Sequence, residues 1–238
     1  MSSKWPSFEQ RIYVAEKIDD PDCDAEMMDR TYAHLAVINK TLSRMGELLR
    51  RHVIADAVRV GGPATVLEFG CGGGDVLASL ARASARAGVE LRLVGLDSDA
   101  RAVARARQTL SPYANACVQQ GGIDDLATLN ADYVFCNHVL HHISPDDLVQ
   151  VLHKLRLAAR RRLLINDLER SAVAYWLYTA FAGMAFRESF VYADGRLSIR
   201  KGFRVPELEA ACKQAGFPPA FRVQRVFPWR VVTLAPGG

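Results

Sequence analysis

The pattern of apolar residues changes at a break formed by Gly61, Gly62 and Pro63. Before the break, apolar side chains between Met28 and Leu49 recur every three to four residues, which predicts an N-terminal helical cap over residues 1–60. After the break, short and uniformly apolar runs alternate with helical segments. Such runs are typical of parallel strands that helices cover on both faces. We therefore expect a doubly wound α/β domain over residues 61–238.

The strands and helices of this domain can be placed from the same pattern. The predicted strands span residues 64–69, 91–96, 115–120, 133–137, 162–166, 221–227 and 230–234. The predicted helices span residues 75–87, 99–110, 145–158 and 205–215. Ser144 followed by Pro145 is a strong helix start, since serine caps helices and proline suits the first helical position. An aromatic insertion after the fifth strand, at about residues 171–200, predicts a helical lid.

A cluster of glycines, Gly70 to Gly74, lies between the first strand and the following helix. Glycines allow a sharp turn and a close approach to a ligand, and the helix start adds amide donors. A dinucleotide loop would need a third glycine at the position of Asp75, and the carboxylate of Glu68 would repel a pyrophosphate. A cationic ligand without phosphate fits better. Asp97 ends the second strand, where a carboxylate can accept both ribose hydroxyls of a nucleoside.

These segments resemble the first two motifs of the class I S-adenosylmethionine (SAM) dependent methyltransferases, over roughly residues 60–170. The resemblance implies a Rossmann-like sheet of seven strands, mostly parallel with an antiparallel C-terminal strand, and SAM as the cofactor. It also implies a set of cofactor contacts. The methionine part of SAM would be held by Glu68, Gly70, Cys71, Gly72 and Gly74. The ribose would be held by Asp97 and Ser98, and the adenine would lie beside Gly122 and Ile123. The family often has an acidic residue where Gly122 falls, so the adenine contact is left to the backbone or to Asp124.

Polar residues follow the fourth strand, at the strand end where ligands of open α/β sheets bind. Asn137 and His138 should face the cofactor and the acceptor. If the chain turns helical here, His138, His141 and His142 share one face. His141 or His142 is then a candidate base for a phenol, with Asp167 as an alternative base or as the group that orients the histidine. The alternative is that these histidines only pack around the cofactor. No metal site is predicted, because the zinc-binding pattern with an intervening glutamate is absent.

The aromatic insertion is the candidate acceptor pocket. We predict that Tyr175, Trp176, Tyr178 and Phe181 line it, because pockets for small ligands are mostly apolar and aromatic. A plain buried helix, a dimer contact and peripheral contact with a membrane surface stay open as alternatives.

A further likeness, spread over nearly the whole chain, is to bacterial small-molecule methyltransferases associated with type III polyketide synthases and with ubiquinone or menaquinone methylation. It includes the segments at residues 166–175 and 194–203. The resemblance implies methyl transfer to an oxygen of a phenol, pyrone or quinol in secondary metabolism. Methylation of a ring carbon and a non-catalytic SAM-binding scaffold remain as alternatives.

Composition limits the classes of partner that the protein can bind and the cellular compartment in which it is expected. The 238 residues carry 30 basic and 26 acidic side chains, and this small excess argues against a nucleic-acid partner. The five cysteines are scattered without a paired motif, which argues against a disulfide framework. The longest uncharged apolar stretch, residues 172–186, is shorter than the ~20 residues that a membrane span needs. A cytoplasmic monomer or homodimer that acts on a small aromatic molecule is expected.

Overall fold

A sheet of seven strands forms the centre of the fold in the computed structural model, which describes residues 5–238. Its strands are β1 (Ala64–Phe69), β2 (Leu91–Asp97), β3 (Ala116–Gln120), β4 (Ala131–Asn137), β5 (Ala159–Leu168), β6 (Arg222–Val226) and β7 (Arg230–Pro236). The order across the sheet is β3-β2-β1-β4-β5-β7-β6. Strands β1 to β5 pair in parallel, and β7 is antiparallel to both β5 and β6. The predicted Rossmann-like, doubly wound arrangement is confirmed.

Helices cover both faces of this sheet. Within residues 5–238 the α-helices are α1 (Ala25–Thr41), α2 (Met45–Leu49), α3 (Ala55–Val60), α4 (Asp75–Ala87), α5 (Ala100–Leu110), α6 (Pro145–Ala158), α7 (Ala172–Ala185), α8 (Val191–Lys201) and α9 (Val205–Gln214). A π-helical turn, Arg50–Ile54, joins α2 to α3. Short 3₁₀ turns lie at Lys17–Asp19, Ile123–Thr128 and Leu140–His142.

Two apolar cores lie on opposite faces of the sheet. Successive side chains of a strand point to opposite faces, so Val66 and Leu67 of β1 belong to different cores. The core that contains Leu67 packs against α6 and α9, and the core that contains Val66 packs against α2 to α5. This double burial explains why the central strands β1, β2 and β4 are apolar at most positions.

The predicted start of α6 is confirmed at atomic detail. Ser144 is the N-cap, and its Oγ accepts a hydrogen bond from the Asp147 N–H at 3.1 Å, while Pro145 takes the first helical position. This arrangement satisfies an amide that would otherwise lack a partner.

The N-terminal segment differs from the prediction of a helical cap. Residues 5–24, which we call the strap, contain only the single 3₁₀ turn, and the first α-helix begins at Ala25. The backbone of the strap instead bonds to other elements: the carboxylate of Asp194 in α8 accepts from the Lys17 and Ile18 amides at 2.9 and 3.0 Å. Residues 1–4 of the predicted cap lie outside the described residues. The division of the chain into a cap and a second domain stays a prediction.

A buried arginine also anchors the strap. Arg170, which follows β5, donates to the carbonyls of Phe8 and Glu9 at 3.0 and 3.1 Å. Its guanidinium also pairs with the carboxylate of Glu207. The strap is therefore attached both to the lid helix α8 and to the end of β5.

Candidate active site

A cavity of about 1130 Å³ opens at the carboxyl ends of the parallel strands. The loops after β1, β2 and β4 form one side of it. Helices α1, α7 and α8, the strap and the start of β7 form the other side. This is the end of an open α/β sheet at which ligands bind.

The glycine loop after β1 is tightly packed. Gly70 has a left-handed φ of 69°, and a Cβ there would lie 2.5 Å from a methyl carbon of Val139 in the loop after β4. The amides of Gly70 and Cys71 donate to the Leu96 carbonyl, and the Gly72 amide donates to Asp97 Oδ2 at 2.8 Å. Glycine at position 70 is thus required by conformation and by space.

Most of the predicted cofactor residues line this cavity. They come from four separate loops: Glu68, Gly70, Cys71, Gly72, Asp97, Ser98, Gly122, Ile123, Asn137 and His138. The prediction that Gly74 contacts the cofactor needs correction, because Gly74 does not line the cavity. Its backbone has a left-handed φ of 75° at the N-cap of α4, and a Cβ there would lie 3.2 Å from the Ala106 backbone. Gly74 therefore serves the turn and the packing of α4 on α5.

Three carboxyl groups meet at the glycine loop. Burial raises the pKa of Glu68 well above its usual range, and the negative charges of Asp75 and Asp97 raise it further. Burial likewise raises the pKa of Asp75 and of Asp97. Glu68 Oε2 is buried and has no hydrogen-bond partner among the described residues. A cationic ligand would stabilise the ionised form of these three groups together.

A chain of side-chain amides connects α1 to the strand ends. Asn39 donates to Asp75 Oδ2 at 3.1 Å and accepts from Asn137 Nδ2 at 3.0 Å. Asn137 Oδ1 in turn accepts from Asn166 Nδ2 at 2.7 Å. The predicted position of Asn137 on the cavity wall is thus fixed by its neighbours.

His141 is paired with the buried carboxylate of Asp167. His141 Nδ1 lies 2.7 Å from Asp167 Oδ1, and the same carboxylate accepts from the His141 amide at 3.1 Å and the Leu168 amide at 2.7 Å. Burial alone would raise the pKa of Asp167, but the charge and hydrogen bond of His141 hold it well below its usual range. An ionised carboxylate opposite Nδ1 favours the neutral tautomer in which Nδ1 carries the proton and Nε2, which lies 3.8 Å from Glu16 Oε1, can accept one.

The cavity lining separates the two residues of this pair. His141 lines the cavity, whereas Asp167 is fully buried and does not line it. Asp167 is thus placed to orient His141 rather than to contact an acceptor directly, and the catalytic role of either residue stays a prediction.

The other two histidines have different surroundings. His142 stands at the cavity edge, where burial lowers its pKa, but Asp19 at 3.4 Å and the charge of Glu16 reverse this effect and raise it. His138 has a left-handed φ of 59°, and burial lowers its pKa well below the usual value. The expected helical face shared by three histidines does not form, because the 3₁₀ turn includes only His141 and His142.

Glu16, His141 and His142 offer ligand atoms within 4.8 Å of one another, the spacing that a metal ion would need. The ammonium of Lys201 already lies 3.0 Å from Glu16 Oε1, and the Ser198 hydroxyl donates to the same oxygen at 2.9 Å. A metal ion would compete with this ammonium for Glu16, so the cluster is better described as an internal ion pair beside the histidines.

The lid helix presents one face to the cavity. Ala174, Leu177, Tyr178 and Phe181 line it, so Tyr178 and Phe181 lie on the cavity wall, and their role in an acceptor pocket stays a prediction. The prediction that Tyr175 and Trp176 line the acceptor pocket needs correction, because neither lines the cavity. Helical spacing turns Tyr175 toward Arg196, which donates to its hydroxyl at 3.0 Å, and turns Trp176 toward Trp5, with ring centroids 5.5 Å apart.

Several residues of the cavity wall were not predicted from the sequence. They come from the strap, α8 and the start of β7: Tyr13, Glu16, Asp19, Asp194, Lys201, Trp229 and Arg230. The strap has no hydrophobic period that would have marked it. The break at Pro228 and Trp229 was visible in the sequence but indicated only a turn.

Comparisons with known proteins agree with this geometry. Residues 67–162 match a family model described as a methyltransferase domain. The match covers less than half of the 238 residues. The fold is the Rossmann-like methyltransferase fold that the sequence predicts, and it is consistent with SAM as the cofactor.

Solved structures with low sequence identity share the fold. An O-methyltransferase family protein from Burkholderia thailandensis has a TM-score of 0.62 at 15% identity, over 90% of this chain and 61% of that one. The plantazolicin methyltransferase BamL, solved with S-adenosylhomocysteine (SAH), has a TM-score of 0.66 at 14% identity, over 88% of this chain and 90% of that one. The CurJ carbon methyltransferase has a TM-score of 0.62 at 13% identity, over 89% of this chain and 59% of that one.

The chain thus spans about three fifths of the length of two of these structures. No curated protein matches the sequence significantly. Among the described residues, no helix combines the length and the apolar composition that crossing a bilayer requires.

The cavity offers SAM a chemically suitable site. SAM carries positive charge at its sulfonium and its ammonium, and the three carboxyl groups at the glycine loop, one with an unpaired oxygen, are suited to such a ligand. Asp97 accepts from the amides of Gly72 and Asp99 through different oxygens. Each oxygen thus retains a lone pair for a ribose hydroxyl. The individual cofactor contacts stay predictions.

Proposed function

We propose that this chain transfers the methyl group of SAM to an oxygen of a small aromatic acceptor, such as a phenol, pyrone or quinol. The observation that carries the proposal is the hydrogen-bonded pair of His141 and Asp167 on the wall of the cavity that also contains the glycine loop. An oriented imidazole beside a methyl-donor site is suited to remove a hydroxyl proton as the oxygen is methylated.

His141 is the group that we assign as the base. Its Nε2 takes the hydroxyl proton of the acceptor, and the oxygen uses its electron pair to bond the methyl carbon. When bound, SAM supplies an electrophilic methyl whose bond to sulfur breaks in the same step. The imidazolium that forms is stabilised by the ionised Asp167 at 2.7 Å, and it later loses its proton to solvent. His142, whose pKa is raised, is the second candidate.

The lid and the strap hold the acceptor and exclude water from the cavity. Tyr178 and Phe181 of α7 and Tyr13 of the strap line the same cavity, and Asp194 ties the strap to α8. Most of the rate enhancement is then expected from keeping the two reacting groups close and correctly oriented.

The proposal is tested by calorimetric titration with SAM, followed by incubation with a panel of phenols, pyrones and quinols. We expect one SAM site, loss of SAH or SAM affinity in Asp97→Ala, and SAH formation coupled to an O-methylated product. Methylation of a ring carbon would support the alternative chemistry. Tight SAM binding without any product from the panel would support a scaffold protein. The matched control is Asp146→Asn, an exposed position outside the cavity.

A further inference from the structure

Arg230 places a positive charge in the wall of the cavity. It is the first residue of β7, lines the cavity beside Trp229, and is 7% exposed. It forms no ion pair with any carboxylate in the part of the chain that the structure describes. A buried charge without a partner is costly, so its presence on a cavity wall points to an anion from outside the chain.

The hydrogen bonds of Arg230 leave half of its guanidinium free. Nη1 donates to the carbonyls of Pro228 and Trp229, each at 3.2 Å, which fixes the orientation of the group. Nε is buried without an acceptor, and Nη2 donates to no residue within positions 5–238. Nε and Nη2 form one edge of the guanidinium, which can hold two oxygens of an anion or one oxygen through two bonds.

The charges nearby are already paired. Burial lowers the pKa of Arg230 to about 10, and the charge of Asp167 only partly offsets this effect. The oxygens of Asp167 accept from the His141 ring and from two amides. Lys201, the other cationic side chain of the cavity wall, is paired with Glu16. Arg230 is therefore the cation of this wall that is available to a ligand.

His138 supplies a second unpaired group on the same wall. Its Nε2 is buried without a hydrogen-bond partner in the described chain, and the nearby charge of Arg230 adds to burial in keeping the ring neutral. Its left-handed backbone is held by the hydrogen bond from its amide to the Asn166 carbonyl at 2.8 Å. Strained residues of this kind cluster at ligand sites.

We propose that Arg230 and His138 bind an anionic oxygen of the acceptor, either a carboxylate or an ionised phenol or enol. The proposal rests on the proposed function and narrows its acceptor class to anionic aromatic molecules. The carboxyl groups of Glu68, Asp75 and Asp97 make the cofactor side of the cavity unfavourable for an anion, so the acid group is expected at the β7 side.

The test measures how strongly the protein prefers a charged probe over its neutral counterpart. Binding is measured by calorimetry with SAH present, using 4-hydroxybenzoate against 4-hydroxybenzamide at neutral pH. The second pair is 4-nitrophenol against 4-nitroanisole, at a pH at which the nitrophenol is ionised. The first pair reports on a carboxylate and the second on a phenolate. We expect the anion of at least one pair to bind roughly ten-fold more tightly than its neutral partner.

Variants assign that preference to Arg230. Arg230→Gln should abolish it, Arg230→Lys should keep part of it, and the exposed Arg222→Gln, on the neighbouring strand β6, should leave it unchanged. SAH affinity should stay within about two-fold in all three variants, because Arg230 is assigned to the acceptor side. Equal affinity of charged and neutral probes for the unmodified protein, or no binding of either anion, would overturn the proposal whether or not the variants fold. A preference that survives Arg230→Gln would overturn it as well.

If the proposed function is wrong but this inference is right, the protein still binds the anionic probe more tightly than its neutral counterpart, while no acceptor of the panel is methylated.

Discussion

Replacing Asp167 by asparagine tests how the base is oriented, because it removes one charge and keeps the size of the side chain. Asp167 accepts three hydrogen bonds, from the His141 ring, the His141 amide and the Leu168 amide. Asparagine has only one oxygen for these donors. If that oxygen replaces Oδ1, its NH₂ group faces the His141 amide, and a buried donor is left unsatisfied. If the amide is flipped, the NH₂ group faces both Nδ1 and the Leu168 amide, so the Leu168 amide is left unsatisfied and the proton of the ring moves to Nε2.

Each orientation has a calculable cost. The first leaves an unsatisfied donor, which lowers the free energy of unfolding by about 1–3 kcal/mol. The second removes the lone pair of Nε2 that accepts the hydroxyl proton. Loss of a positioned general base lowers a rate by about 10²–10⁴-fold. We therefore expect kcat of Asp167→Asn to fall by at least about a hundred-fold, with the affinity for SAH unchanged within about two-fold.

The pH dependence of the free energy of unfolding provides an independent measurement of the effect of Asp167→Asn. The pKa of Asp167 is depressed in the folded protein, so its contribution to stability is present above the unfolded pKa of a carboxyl and is lost as pH falls through the folded value. Asp167→Asn should lose this contribution at neutral pH and unfold in acid with a shallower pH dependence.

The assay is single-turnover methyl transfer over a range of pH, with thermal and acid unfolding on the same samples. Asp146→Asn is the matched control, because it removes one exposed carboxylate outside the cavity. An Asp167→Asn variant that keeps the kcat of the unmodified protein would show that Asp167 does not position the base.

Three further predictions concern the cofactor loop and the strap. The affinity for SAM should rise with pH as Glu68 ionises, and it should rise more steeply than the affinity for SAH. Glu68→Gln should weaken SAM binding by roughly ten-fold and reduce the difference in pH dependence between SAM and SAH. Gly70→Ala should destabilise the fold by about 1–3 kcal/mol more than Gly61→Ala, since both have a left-handed φ but only residue 70 meets Val139; equal unfolding midpoints would contradict this. Asp194→Ala should raise the KM for the acceptor by roughly ten-fold with little change in SAH affinity, because two strap amides lose their acceptor; an unchanged KM would show that the strap does not hold the acceptor.

The sheet could be predicted from the sequence because its signals are local. Strand β1 and helix α4 begin and end where the apolar runs, the glycines and Gly88 indicate. Helix α6 begins at Pro145 because Ser144 caps it. The glycine loop and Asp97 could also be located, since both sit directly after an apolar strand.

The rest of the site depends on contacts between distant parts of the chain. The strap folds without a helix because its amides bond to Asp194, far along the sequence. Arg230 lies next to a visible turn, but its position on the cavity wall follows from the antiparallel pairing of β7 with β5. The face of α7 was misassigned at Tyr175 and Trp176 because an almost wholly apolar helix has no polar side to orient it.

In the proposed reaction an oxygen of the acceptor, and not a carbon, receives the methyl group. The most direct test is carbon NMR of the product formed from SAM labelled in its methyl carbon, for whichever acceptor in the panel gives SAH. We predict that the label appears as a methoxy carbon and that Asp167→Asn forms the same product far more slowly. A label bonded to a ring carbon, or an Asp167→Asn enzyme with an unchanged rate, would contradict the account.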